Sequence, residues 1–136
     1  MRDLVTERPR ERMVVFTLIE GKPKGTAMGL FSSMFGKGID AYMEDARATP
    51  GAVVLDVRSP EEFVDGHIDG ARNVPVSHIQ NAPRQVPALD TPLFVYCLSG
   101  ARSAQACRFL TQMGYTTVTN MGGINRWSGP VKQGRI

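Results

Sequence analysis

The stretch that decides the fold reads Leu93-Phe94-Val95-Tyr96-Cys97-Leu98-Ser99-Gly100-Ala101-Arg102-Ser103. Its first four residues form an unbroken apolar run, which is typical of a strand covered on both faces. Small residues then form a loop, after which apolar residues recur at helical spacing. A thiol at the start of such a loop faces the unpaired N–H groups of the new helix, which favour the thiolate. We therefore predict that Cys97 is a nucleophile.

The chain on either side repeats this alternation of strand and helix. Ile39, Met43 and Ala46 indicate a helix, and residues 52–55 are a second apolar run, which ends at Asp56. We also expect a short helix opening at residues 59–62, an extended piece at 73–75, a helix with Ala106, Phe109, Leu110 and Met113 on its apolar face, and a strand at 116–119. This order predicts an α/β fold with a largely parallel sheet. Because ligands gather at the carboxyl ends of such strands, Asp56 and Cys97 should face one site.

Composition and charge argue against several classes of function for this chain. The 136 residues are 42% hydrophobic and 21% charged, without the roughly 20 consecutive apolar residues of a membrane span. No secretory signal is evident, so we expect a soluble, cytoplasmic protein. Residues 1–38 carry seven basic and four acidic side chains, whereas residues 39–136 carry nine of each. Without a basic stripe in the second part, nucleic-acid binding is not expected.

We divide the chain into an N-terminal extension, residues 1–38, and a domain, residues 39–136. The extension shows no sustained hydrophobic period and has the character of a tail or an accessory segment. Residues 28–36 within it are short and apolar, and three interpretations stay open. They are an edge strand or packing arm of the domain, a weak membrane-surface or partner contact, or a true start at Met28 with residues added upstream.

The loop after Cys97 is suited to holding an anion. Gly100 and Ala101 let the backbone curl so that the amides of residues 98–103 point inward as an anion nest. Such a nest can hold a thiolate, a persulfide or an oxyanion, and this kind of setting lowers a thiol pKa from about 8.5 to roughly 3.5–7.5. Arg102 adds a positive charge, whose direction the sequence does not fix.

Several ordered motifs resemble those of single-domain rhodaneses. They are Asp56-Val57-Arg58, Glu61-Glu62-Phe63, Gly66-His67-Ile68-Asp69-Gly70-Ala71, Asn73-Val74-Pro75, the stretch from Cys97 to Ser103, and Gly122-Gly123-Ile124 followed by Trp127. The likeness spans about residues 39–130. It implies a rhodanese-like α/β fold, in which a mostly parallel five-stranded sheet is flanked by helices on both faces.

The resemblance also implies a sulfurtransferase without a cofactor or metal. In that family the loop cysteine takes sulfane sulfur from thiosulfate or a related donor and becomes a persulfide. A thiophilic acceptor, such as cyanide, glutathione, or a thioredoxin-like or other protein thiol, then collects the sulfur. Cys97 would be the sulfur carrier, and Arg102 would help to attract the anionic donor. The amides of the active-site loop would cradle the sulfur, and its residues are Leu98, Ser99, Gly100, Ala101, Arg102 and Ser103.

The length of the loop distinguishes this chain from cysteine-based phosphatases and arsenate reductases. Those families place five residues between the cysteine and the arginine, whereas four stand between Cys97 and Arg102. We therefore favour sulfur transfer over phosphatase-like chemistry. A dedicated protein-to-protein sulfur relay and a rhodanese-like binding module remain alternatives, although the presence of Cys97 argues against an inactive module.

Other polar side chains are assigned supporting or structural roles. We expect Asp56 and Arg58 to support the site, with Asp56 bracing the loop through hydrogen bonds to nearby backbone. Glu62 could pair with Arg58 at the surface. Cys107 is expected to be a packed structural thiol, and His67 to make a structural hydrogen bond in a connecting turn. The histidines and thiols lack the paired spacing of a zinc site, so none is predicted.

Overall fold

A computed structural model describes residues 37–135 of the chain. Residues 28–36, for which three interpretations were left open, lie outside this part. The helices are α1 (Ile39–Ala48), α2 (Pro60–Asp65), α3 (Ala82–Gln85) and α4 (Ala101–Gln112), and the strands are β1 (Val53–Asp56), β2 (Arg72–Asn73), β3 (Leu93–Cys97) and β4 (Val118–Gly123). Two 3₁₀ helices span Val76–Asn81 and Ile124–Arg126.

The strands form one parallel sheet in the order β2-β1-β3-β4. This confirms the predicted parallel α/β architecture, but the five-strand count is not confirmed, because residues 37–135 hold four strands. All five residues of β3 are buried, as an interior strand requires. Asp56 lies opposite Tyr96 in the register of β1 and β3. Asp56 and Cys97 therefore lie at the same end of the sheet, as predicted.

Helices cover both faces of the sheet. On one face α4 buries Ala106 and Leu110 against Leu55 and Val95 of the strands. On the other face Met43 of α1 and Phe63 of α2 are buried together with Tyr96 and Met121 of the strands. The structure confirms the prediction of α1 and of its apolar positions. Each large side chain removed from water contributes roughly 1.5–3 kcal/mol. Burial on both faces holds the strand ends in fixed positions.

Helix α2 begins where its sequence predicts, and its first turn is capped by side chains. The Ser59 hydroxyl accepts a hydrogen bond from the Glu62 amide at 3.2 Å, and the Glu62 carboxylate accepts one from the Ser59 amide at 3.1 Å. Pro60 occupies the first helical position, where its missing N–H costs nothing. This reciprocal capping box fixes the position of the Glu62 side chain at the start of the helix.

Two predictions of local structure are wrong. Phe109 was expected on the apolar face of α4, but its side chain is 40% exposed, because the buried face is centred on Ser103, Ala106 and Leu110. The last strand was expected at residues 116–119 and instead spans Val118–Gly123, so that both glycines belong to it. Small residues fit this strand because the loop after β3 lies against it.

Among the described residues, no helix combines the length and the apolar composition that crossing a membrane requires.

Candidate active site

Cys97 is the last residue of β3, and its side chain is 1% exposed. The Gly100 amide donates a hydrogen bond to Cys97 Sγ at 3.0 Å, and Ser103 Oγ lies 3.5 Å from the same sulfur. Gly100 adopts φ 110°, a left-handed conformation that glycine reaches without strain. Helix α4 begins directly after it, at Ala101. The loop is therefore shorter than the sequence indicated, since residues 101–103 already form the first turn of the helix.

This setting lowers the pKa of the Cys97 thiol below its ordinary value. Burial, the largest single influence, raises the pKa. Hydrogen bonds from the Ser103 hydroxyl and amide, and from the amides of Gly100 and Ser99, outweigh that effect because they stabilise the thiolate. The charged form of Cys97 is therefore favoured by groups that the fold holds in place.

The surroundings of Cys107 have the opposite effect on its thiol. It is half-buried in α4, and burial, reinforced by the charge of Cys97, raises the pKa of its thiol to about 11. Both cysteines are free thiols. Because a thiolate is the reactive form, the two side chains have opposite tendencies at neutral pH, and Cys107 has the inert, packed character that the sequence predicts.

Ser103 connects the cysteine to β4 through a residue that the sequence analysis missed. Ser103 Oγ lies 2.7 Å from Oδ1 of Asn120 and 3.0 Å from the carbonyl oxygen of Gly100. The Gly122 amide donates to the same Asn120 oxygen at 3.0 Å, which fixes the orientation of that amide group. No local signal marks Asn120, because its role depends on the pairing of β3 with β4.

Gly123 precedes the last 3₁₀ helix, Ile124–Arg126, and it also supports the loop. It lies directly beneath residues 98 and 99. A Cβ atom at Gly123 would meet the Leu98 carbonyl oxygen and would stand 2.6 Å from Ser99 Cα. The Leu98 carbonyl also accepts a hydrogen bond from the Asn125 amide at 3.1 Å. The glycine at position 123 was the sequence signal for this close approach.

Arg102 is paired with Glu62, which resolves the direction that the sequence left open. Its Nη1 and Nη2 donate to the two carboxylate oxygens at 2.8 and 3.1 Å. The expected pairing of Glu62 with Arg58 is wrong, because Arg58 is buried against another carboxylate. The hydrogen bonds from Arg102 are the main reason that the pKa of Glu62 is lowered to about 2.

Asp56 and Arg58 form a buried ion pair behind the site. Their side chains are 0% and 6% exposed, and Arg58 Nη2 lies 2.6 Å from Asp56 Oδ2. The Arg58 amide also donates to Asp56 Oδ1 at 2.9 Å, and its guanidinium donates to the Gly66 carbonyl oxygen at 2.7 Å. Asp56 was expected to brace the cysteine loop, but these bonds connect β1 to the turn after α2.

His67 lies in that turn and makes the predicted structural hydrogen bond. Its Nδ1 is 2.8 Å from the Phe63 carbonyl oxygen, and its ring stacks on the Phe63 ring with 3.7 Å between centroids. Within residues 37–135, no group of three or more histidine, cysteine or acidic side chains is placed to hold a metal ion.

Comparison with known proteins places this geometry in a family. The model of the rhodanese-like domain matches residues 40–130. Over 82 residues, which are 60% of its length, this chain is 39% identical to the uncharacterized protein YqhL of Bacillus subtilis, and the match spans 64% of that protein. Over 81 residues, 59% of this chain, it is 37% identical to thiosulfate sulfurtransferase PspE of Escherichia coli and spans 78% of it.

A solved structure described as a rhodanese with anions from E. coli has the same fold. It superposes with a TM-score of 0.57 at 36% identity, over 61% of this chain and 99% of that one. The family match covers the sheet, the cysteine loop and the helices on both faces. The chain therefore belongs to the rhodanese family.

Proposed function

We propose that this protein is a sulfurtransferase that carries sulfane sulfur as a persulfide of Cys97. The observation that carries the proposal is the Gly100 amide 3.0 Å from Cys97 Sγ, with the Ser103 hydroxyl at 3.5 Å. These groups stabilise a sulfur anion at the end of a buried strand. The name of PspE, thiosulfate sulfurtransferase, supports the same reaction class.

The reaction has two half-steps in this proposal. The Cys97 thiolate attacks the outer sulfur of thiosulfate, the S–S bond of the donor breaks, and sulfite leaves with the electron pair. A thiolate or cyanide acceptor then attacks the outer sulfur of the persulfide, which returns the Cys97 thiolate. No external oxidant is needed, and ping-pong kinetics are expected.

The loop residues have distinct parts in this scheme. The amides of Ser99, Gly100 and Ser103, which already lower the pKa of Cys97, would hold the terminal sulfur of the persulfide. Arg102, whose charge Glu62 partly offsets, would attract an anionic donor. Asp56 and Arg58 would support the site from behind by fixing the end of β1. The cytoplasmic location stays a prediction from the sequence.

Intact-mass measurement tests the proposal. After incubation with thiosulfate and removal of excess reagent, we expect the mass of one added sulfur atom, which dithiothreitol removes. Cys97→Ser should gain none, and Cys107→Ser should gain the same mass as the wild type. Sulfur gain by Cys97→Ser would overturn the assignment of the carrier.

A protein-to-protein relay is the second candidate. It would use the same Cys97 chemistry, with the donor and the acceptor both proteins, and it predicts faster loading from a protein persulfide than from thiosulfate. The pairing of Arg102 with Glu62 favours it, because a neutralised arginine attracts a small anion less. Hydrolysis of an aryl phosphate that is lost in Cys97→Ser would instead support phosphatase-like chemistry.

A further inference from the structure

The carboxylate of Glu62 is fixed from two sides, by Arg102 of α4 and by the Ser59 amide at the start of α2. Arg102 binds both of its oxygens, at 2.8 and 3.1 Å. The Ser59 amide donates to one of the same oxygens at 3.1 Å, because Glu62 is also the third residue of the α2 capping box. The side chains of both partners are about one-third exposed, and Arg102, in the first turn of α4, is close enough to Cys97 for the two charges to interact.

This arrangement reduces the positive charge that Arg102 offers to an anion. The groups that interact electrostatically with the guanidinium are Glu62, Cys97 and Asp56, all of them acidic. Asp56 is itself neutralised by Arg58. With Cys97 as a thiolate, the negative charges of Glu62 and Cys97 outnumber the single positive charge of Arg102. The formal charges of these three side chains therefore sum to −1, which repels a small dianion more than a monoanion.

We propose that Glu62 is a specificity-determining residue, which offsets Arg102 and disfavours small dianionic sulfur donors relative to donors of lower charge. The inference rests on the proposed sulfurtransferase function and concerns the class of donor. Coulomb repulsion grows in proportion to the charge of the incoming donor. Removing the Glu62 charge should thus improve the binding of a dianion more than that of a monoanion, while the chemistry at Cys97 stays the same.

Glu62→Gln is the variant that isolates this effect. Glutamine at the third helical position still completes a capping box, so α2 keeps its start while one negative charge disappears. Glu61→Gln is the matched control, because it removes the same charge from the exposed neighbouring residue and leaves the Arg102–Glu62 pair intact. Thermal unfolding of all three proteins checks that the comparison concerns folded molecules.

Two donors that differ in charge provide the readout. Thiosulfate is a dianion and benzenethiosulfonate is a monoanion, and both transfer their outer sulfur with an oxidised-sulfur leaving group. For Glu62→Gln we expect the KM for thiosulfate to fall about fivefold and that for benzenethiosulfonate about twofold at low salt, with kcat little changed. The difference should shrink at high salt, because ions screen the charges.

Sulfate binding separates this inference from the proposed function. Inorganic sulfate cannot donate sulfane sulfur, but as a bound dianion it should protect Cys97 from iodoacetamide at lower concentration in Glu62→Gln than in the wild type or Glu61→Gln. If no donor loads Cys97 in any of the proteins, the proposed function fails, and the sulfate result still decides the role of Glu62. Equal shifts in the two glutamine variants, or equal shifts for both donors, would overturn the inference.

Discussion

At the residue scale, the Ser103 hydroxyl has one proton and several acceptors around it. Asn120 Oδ1 at 2.7 Å and the Gly100 carbonyl oxygen at 3.0 Å compete for that proton with Cys97 Sγ at 3.5 Å. With a neutral thiol, Ser103 can accept from the S–H and donate to Asn120. A thiolate has no proton to give, so the hydroxyl stabilises it by donating to sulfur in place of these oxygens. Ser103 is thus the side chain that most directly controls the charge on Cys97.

Ser103→Ala should therefore raise the pKa of Cys97, because it removes the largest of the influences that lower it. The curve of alkylation rate against pH should move to higher pH, since less thiolate is present at any given pH. A hydrogen bond of about 1 kcal/mol corresponds to a loss of about fivefold in rate at fixed pH. Ser99→Ala is the control, because it removes a hydroxyl and keeps the amide. An unchanged curve in Ser103→Ala would contradict the assignment.

Asp56→Asn should destabilise the protein by about 3–5 kcal/mol, because it leaves the buried guanidinium of Arg58 without its counter-charge. Urea unfolding followed by tryptophan fluorescence measures the change. Asp69→Asn is the matched control, because Asp69 is 81% exposed and pairs with Lys132 at the surface. Its effect should stay below about 1 kcal/mol. Equal effects of the two substitutions would mean that the buried Asp56–Arg58 pair contributes no more to the free energy of unfolding than a surface pair.

Cys97 and the loop residues Arg102 and Ser103 could be singled out from the sequence, but the side chains that Arg102 and Ser103 contact could not. Cys97 follows an apolar run and precedes small residues, and both features are local. Glu62 and Arg102 are 40 positions apart, so their pairing depends on how α2 and α4 are placed on the sheet. Asn120 meets Ser103 for the same kind of reason, because β3 and β4 are paired.

At the element scale, the contact between β4 and the cysteine loop decides the shape of the cradle. Gly123 lies opposite Cys97 in the register of the sheet, and the Leu98 carbonyl rests above it. The sequence predicted a strand at residues 116–119 because threonine and valine favour strands. The actual strand extends over the two glycines, and at Gly123 the neighbouring loop leaves no room for a side chain.

Gly123→Ala should push residues 98 and 99 away and slow alkylation of Cys97 at pH 7 by tenfold or more. The added Cβ meets backbone atoms, which cannot rotate aside, and overpacking of this kind costs about 1–3 kcal/mol. Gly122→Ala is the control, because a Cβ there enters open space although φ is 97°. It should lower stability while leaving Cys97 reactive. Normal reactivity in Gly123→Ala would refute the role of this contact.

At the scale of the whole molecule, the parallel sheet was predictable because strands alternate with helices along the sequence. The number of strands was not predictable from this alternation. The expectation of five strands came from the family resemblance, whereas residues 37–135 hold four. The division into an extension, residues 1–38, and a domain, residues 39–136, remains our proposal. The family match to residues 40–130 is consistent with it.

Removal of residues 1–27 tests whether that part of the extension belongs to the domain. If the domain is self-sufficient, the shortened chain should keep its thermal midpoint and its rate of sulfur loading within experimental error. The reason is that the sheet, both layers of helices and the cysteine loop all lie within residues 39–135. A large fall in either quantity would place the extension within the domain.

We propose that the fold holds Cys97 as a stabilised sulfur anion, and the pH dependence of its alkylation tests this most directly. In the Cys107→Ser variant, which leaves one thiol, the rate of reaction with iodoacetamide should rise with a midpoint below the value of about 8.5 for free cysteine. Cys97→Ser should show no such phase at neutral pH, because the pKa of Cys107 is raised to about 11. A midpoint at or above that of free cysteine, or an inert thiol, would contradict the account.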